Sequence, residues 1–209
     1  MDAEDASGRP PILGVVIAGG LSSRMGREKA LISLAGKPLL AHVLERFRPQ
    51  VDCVALNANG DPSRFASFAL EVAPDRHADH PGPLAGLAAA LHLARSRGYE
   101  LVATAPSDAP FLPLDAVARL RAGLEPGVEA VVASGPNGLE PLVGLWRIGA
   151  LDAIESALGE GRRAVHRLLA VLPHRVVPFT TAGDGPDPFA NLNTPEELRE
   201  AERMLQASP

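Results

Sequence analysis

The chain has 209 residues, 46% hydrophobic and 22% charged, with a formal net charge of −5 and a pI near 5.7. This is enough apolar residue for one sizeable core, and the acidic balance excludes sequence-independent binding to DNA or RNA. Six Phe, one Tyr and one Trp offer no base-stacking platform, and no segment has the continuous apolarity of a membrane span.

Taken in order, the acidic, polar start MDAEDASGRPP carries no secretory signal, and residues 1–10 are expected to form a flexible tail of a cytoplasmic protein. The β-branched run ILGVVIA (12–18) predicts a buried strand ending at two glycines. A helix over 38–47 opens with Pro38 and puts Leu40, Val43, Leu44 and Phe47 on one face. Strands follow at 51–57 and 68–74. The lone cysteine, Cys53, lies in the first of these and reads as a small buried thiol.

A helix rich in small residues covers 82–98, with Gly98 closing it. Next come a strand at 100–106, a helix at 113–124, and two strands (128–134 and 139–146) around the turn GPNG. Helical patterns over 149–161 and 162–172 precede a strand at 174–179. In NTPEEL, Thr194 reads as the N-cap of a terminal helix, with Pro195 at its first position and Glu197 closing a capping box. Alternating β and α segments predict a single α/β domain over 11–205, a mostly parallel sheet flanked by helices.

Charge concentrates in one place. Between Gly14 and Leu44 there are four basic residues (Arg24, Arg27, Lys29 and Lys37) against the single acid Glu28. A basic, glycine-rich loop in an acidic protein fits a small anionic ligand such as phosphate, and equally fits an ordinary βα connection with solvated charges. Two common phosphate loops do not match. Gly26 is separated from Lys29 by Arg27 and Glu28, which breaks the Walker A pattern, and Gly19 and Gly20 are adjacent, which breaks the dinucleotide fingerprint. Adjacent glycines would let backbone N–H groups approach a ligand, Arg24 offers a planar fork, and Lys29 a point charge.

The run AGGLSSRMGREKALISLAGKPLL resembles the signature of the sugar-nucleotidyltransferase-like enzymes, Gly-Gly-x-Ser-x-Arg-Met-Gly-x-x-Lys, whose loop binds a nucleoside triphosphate. Some members have three residues, not two, between the last glycine and the lysine. PGPLAGLAAAL (81–91), TAPSDAPFLP (104–113), EPLVGLW (140–146) and FANLNTPEEL (189–198) resemble further family segments in the same order. PSDAPFLP and NLNTPEEL are most similar to the MobA family of molybdenum cofactor guanylyltransferases; the resemblance covers roughly residues 12–198.

That resemblance implies a Rossmann-like nucleotidyltransferase fold. It also implies GMP transfer from GTP to the terminal phosphate of Mo-molybdopterin, with Mg²⁺ as cofactor and transient contact with proteins that make or accept the molybdenum cofactor. Arg24, Lys29 and Asp108 would be catalytic, with Asp108 also the metal ligand. Ile17, Ala18, Gly19, Gly20, Lys29, Asn57, Asp75 and Asp108 would bind the nucleotide, and Asn191 and Asn193 the acceptor. Cytidylyl transfer to the same pterin, transfer to a sugar phosphate or phosphoacid, and a catalytically idle nucleotide-binding subunit are the alternatives.

Read alone, Asp108 at a strand end is equally a Mg²⁺ ligand or a turn aspartate capping its own backbone. Asn57 and Asp75 alone are ordinary loop residues. Asn191 and Asn193 are two apart, so in an extended segment both amides face one side. His77 and His80 lack a third metal ligand at suitable spacing and read as solvated or lid residues, and Arg162 and Arg163 as surface charge.

Overall fold

The computed structural model describes residues 8–18, 28–76, 82–181, 186–192 and 194–207. Strand β1 (Ile12–Ile17) is buried along its whole length. A 3₁₀ turn at Lys29–Leu31 leads into a short hairpin, β2 (Ser33–Leu34) and β3 (Lys37–Pro38). Its two turn residues, Ala35 and Gly36, both have positive φ (48° and 81°), as the tightest hairpin turns require. Helix α1 (Leu39–Phe47) follows, then β4 (Cys53–Asn57), a 3₁₀ helix at Pro62–Phe68, β5 (Glu71–Ala73) and α2 (Pro83–Ser96).

The second half runs β6 (Leu101–Pro106), α3 (Ala116–Ala122), β7 (Ala130–Gly135), β8 (Gly138–Arg147), α4 (Leu151–Gly159), α5 (Val165–Leu169), β9 (His174–Pro178) and α6 (Pro195–Ala207). Apart from the β2–β3 hairpin, the strands form one seven-stranded sheet in the order β5-β4-β1-β6-β8-β7-β9. Only β8 runs against its neighbours, because the Pro136-Asn137 turn folds it straight back on β7. The other pairings are parallel, so the sheet is mostly parallel as the alternating pattern predicts.

Alternation along β1 sends its side chains to two cores. Leu13, Val15 and Ile17 pack with α2, α4 and α5, while Ile12 and Val16 pack with α1 and α3 on the opposite face. Gly14 lies under α1 because a Cβ there would come within 2.9 Å of the Phe47 ring and 2.7 Å of Val51. The absent side chain lets Phe47 bury fully, a stabilisation of about 2–3 kcal/mol for a large apolar group. A buried side-chain hydrogen bond joins β6 to β8: the Trp146 indole donates to Thr104 Oγ1 at 3.0 Å.

A third, smaller core docks the C-terminal helix. Ala201 of α6 packs with Leu34, Leu39, Phe111 and Leu192, and Glu202 accepts the Ala35 N–H of the hairpin turn at 3.0 Å. The expected capping box opens α6: Glu197 N–H donates to Thr194 Oγ1, and Thr194 N–H to Glu197 Oε2. The expected strand at 68–74 is shorter than the apolar pattern suggests. Phe65 is buried from within the 3₁₀ helix, Ala69 turns the chain at φ 51°, and pairing with β4 begins only at Glu71.

Candidate active site

The sheet order reverses at β1: β4 and β5 lie to one side, β6 and β8 to the other. In open α/β sheets the crevice beyond the strand ends at such a switch point is where ligands bind. The ends here are Ile17, Asn57, Ala73 and Pro106. They are laced together, since Ala18 N–H donates to Asn57 O at 2.8 Å and Ser107 N–H to Ile17 O at 3.1 Å. Ala18 and Glu28 are the described flanks of the basic loop, whose Gly19, Gly20 and Arg24 lie outside the described residues.

Lys29 enters from the 3₁₀ turn, and its ammonium contacts the Asp108 carboxylate just past the end of β6. Both side chains keep a small solvent-facing fraction, 19% and 17%, which leaves the pair open to a ligand. The backbone carbonyl of Asp108 accepts the Leu192 N–H at 3.5 Å, so the 186–192 segment passes beside it. That brings Asn191, which is exposed, to the Asp108 side of the crevice; Asn193, His77 and His80 lie outside the described residues.

On the other flank, Asn57 is fully buried and uses both amide hydrogens, donating to Ala73 O at 3.0 Å and to Asp75 Oδ1 at 2.9 Å. Its own Oδ1 is buried and has no hydrogen-bond partner among the described residues. Helix α2 can approach it only because residue 86 is glycine: a Cβ there would sit 2.5 Å from Asn57 Oδ1 and 3.0 Å from Ile17 Cγ2. Asp75 is held from a second side by Asn59, whose amide donates to Asp75 Oδ2 at 2.7 Å.

Glu140 and Asp187 stand near Asp108, and sequence reasoning singled out neither. Glu140 lies on β8 where the pairing with β7 shifts register between Val132 and Ala133, and such a bulge re-aims side chains. Pro141, which has no N–H to donate, follows it; a Glu-Pro step inside an apolar strand was the available signal. Burial first, and then the negative charges of Asp187 and Asp108, push the Glu140 carboxyl up to about 7. Asp187 is itself fixed, accepting from Asn137 Nδ2 at 2.6 Å and from Phe189 N at 2.9 Å.

Arg162 pairs with Glu160 at 2.6 Å, in keeping with a surface charge, while the Arg163 carbonyl accepts the Leu84 N–H at the start of α2. Among the described histidines, His92 sits 2.5 Å from Glu155 across α2 and α4, and His42 hydrogen-bonds the Leu34 carbonyl at 2.8 Å. Neither reaches the crevice pair.

A mostly parallel sheet with a lysine–aspartate pair at its switch point fits a nucleotidyltransferase-type fold, the fold of the solved structures it resembles. Residues 14–176 match the family described as a MobA-like NTP transferase domain, and the chain belongs to that family. It is 42% identical over 197 residues to the molybdenum cofactor guanylyltransferase of Rhizobium meliloti (strain 1021), covering 91% of this chain and 90% of that one. It is also 42% identical over 200 residues to the enzyme of that name from Rhodobacter capsulatus, covering 95% and 99%. Among solved structures it resembles molybdopterin-guanine dinucleotide biosynthesis protein A from Archaeoglobus fulgidus, with a TM-score of 0.73, 25% identity, and 93% and 98% of the two chains covered.

Proposed function

We propose that the chain transfers GMP from GTP to the terminal phosphate of Mo-molybdopterin, forming molybdopterin guanine dinucleotide and releasing pyrophosphate. The observation that carries this reading is the meeting of Lys29 and Asp108 at the switch point, in a chain that matches guanylyltransferases over 91% of its length.

The reaction is a displacement at phosphorus. An anionic oxygen of the acceptor phosphate attacks the α-phosphorus of GTP, the bond to the α,β-bridging oxygen breaks, and pyrophosphate leaves with that electron pair. The attacking oxygen is already deprotonated, so no general base and no covalent enzyme intermediate are needed. The work of the protein is alignment and offsetting of charge.

Lys29 carries that charge role in our reading. Its ammonium has three donors, so it can hold Asp108 and a phosphate oxygen together. We assign Gly19 and Gly20 to a backbone cradle for the triphosphate and Arg24 to its oxygens. Asn57 and Asp75 take the base or ribose end, beside the backbone of Ile17 and Ala18; the hydrogen bond by which Asn57 holds Asp75 at the strand ends supports this. Asn191 and Asn193 take the acceptor; for Asn191 this is supported by the hydrogen bond of the adjacent Leu192 to Asp108.

Asp108 fits a divalent cation: it is a hard oxygen donor at a strand end, and Mg²⁺ takes one or two carboxylates and fills its shell with substrate phosphates and water. Mg²⁺ held by Asp108 would supply charge neutralisation at the α-phosphate. The reading extends to a cytoplasmic reaction with transient contact to proteins that build or receive the cofactor. Among the described residues no helix is long and apolar enough to cross a membrane.

Pyrophosphate release tests the proposal. It should require GTP, Mg²⁺ and molybdopterin together, and the product should have the mass of the guanine dinucleotide. A chain that binds GTP yet releases no pyrophosphate with molybdopterin present would be an idle nucleotide-binding subunit, and the proposal would fall.

A further inference from the structure

Asn59 is an exposed residue two positions past the end of β4, yet its side-chain amide and carbonyl are both engaged. Its side-chain amide donates to Asp75 Oδ2 at 2.7 Å, and its side-chain carbonyl accepts the Asp75 backbone N–H at 2.8 Å. With Asn57 on Oδ1 at 2.9 Å, both oxygens of Asp75 have an amide donor, and the residue is fixed at backbone and side chain at once. Exposed hydrogen bonds of this kind exchange with water and add little to folding stability, while ordering them costs side-chain entropy. Their effect is on the orientation of one carboxylate.

The bracket continues toward the phosphate side. The Asn59 backbone carbonyl accepts from the Arg64 guanidinium, which also donates from Nε to Asp61 O at 2.9 Å. The same guanidinium reaches Glu28 Oε2 at 2.7 Å, and Glu28 immediately precedes Lys29. A planar guanidinium with five donors is suited to span three such partners in fixed geometry. Asp75 and Lys29 are thereby connected through Asn59, Arg64 and Glu28.

We propose that Asn59 is a positioning residue for nucleotide binding: it brackets Asp75 and, through Arg64, holds that carboxylate at a set span from Lys29. The inference rests on the assignment of Asp75 and Lys29 to opposite ends of GTP. A carboxylate already oriented loses little freedom when it meets a ligand donor, and that preorganisation shows as affinity.

A double-mutant cycle on GTP affinity, measured by calorimetry, tests it. Asn59→Ala should weaken GTP about tenfold, the scale of one well-oriented hydrogen bond to a charged group. In an Asp75→Ala background the same change should add less than about twofold, because Asn59 acts through Asp75. Asn59→Asp, which keeps the shape but sets a second carboxylate against Asp75, should bind GTP more weakly than Asn59→Ala. Thermal melting of the full chain should be nearly the same for all three Asn59 forms, since the residue is exposed.

If Asp75→Ala weakens GTP but Asn59→Ala does not, the positioning role is overturned. An equal loss from Asn59→Ala in both backgrounds overturns it too, because Asn59 then acts alone. Should Asp75→Ala leave GTP affinity untouched, the assignment of Asp75 to the nucleotide is what fails, and the inference goes with it.

Discussion

Lys29 and Asp108, 79 residues apart in the chain, meet as an ion pair beside the end of β6. One follows the basic loop and the other follows a parallel strand, so the pair exists only because β1 and β6 are neighbours in register. The proposed chemistry places opposite demands on the two: a cation for phosphate oxygens and a hard anion for the metal.

Asp108→Asn keeps the side-chain size and removes the charge. Turnover at limiting Mg²⁺ should fall by about 10²-fold or more, while melting changes little because the group faces the crevice. Steady-state pyrophosphate release across a Mg²⁺ titration checks this, and wild-type turnover at limiting Mg²⁺ would remove Asp108 from the metal.

Lys29→Ala and Asn193→Ala should separate the two sides of the site. Loss of Lys29 should lower turnover roughly 10²–10³-fold whatever the acceptor, as removal of one preorganised charge donor does. Asn193→Ala should slow transfer to molybdopterin and leave GTP affinity largely intact. Equal losses of GTP affinity would put Asn193 on the nucleotide side.

Gly86→Ala should be destabilising by about 1–3 kcal/mol, since the added methyl meets Asn57 Oδ1 at 2.5 Å and the Ile17 side chain at 3.0 Å inside a packed layer. Because Asn57 holds Asp75, GTP binding should weaken as well. Denaturant unfolding and GTP titration of the same variant give both readings; unchanged stability would mean that α2 shifts without strain.

Glu140 gives a pH dependence with a defined sign. Its carboxyl is raised to about 7 in the folded chain, above the ordinary 4.5, so the folded state holds a proton that the unfolded state has lost between those values. Stability is therefore greatest below about 4.5 for this group and declines as pH rises to about 7, then levels. The group is half-buried, and solvent screening reduces the effect to the order of 1 kcal/mol. In metal-free protein, Glu140→Gln should be the more stable form at pH 8 and should flatten the profile between pH 5 and 7. A wild-type profile parallel to that of Glu140→Gln would contradict this.

What the sequence made legible follows from its physics. β1 and β6 are short, apolar, continuous and bounded by turn residues, so their placement needed no tertiary information, and the Thr194–Glu197 capping box is local by nature. The antiparallel course of β8 follows from a two-residue turn that the GPNG reading already contained. Other features depend on partners far along the chain. The β2–β3 hairpin is steadied by Glu202 from α6, and the bulge that aims Glu140 arises from pairing with β7. Asn59 carries no signal of its own in the sequence, because its role depends on β5 bringing Asp75 against it.

The central claim is guanylyl transfer, and base preference tests it most directly. GTP and CTP supplied together at equal concentration with Mg²⁺ and molybdopterin, followed by mass detection of the two dinucleotides, reports the ratio of kcat/KM in one tube. A site built around buried hydrogen-bond partners for guanine should favour GTP by about 10²-fold or more. A product that is mainly the cytosine dinucleotide would contradict the guanylyl assignment.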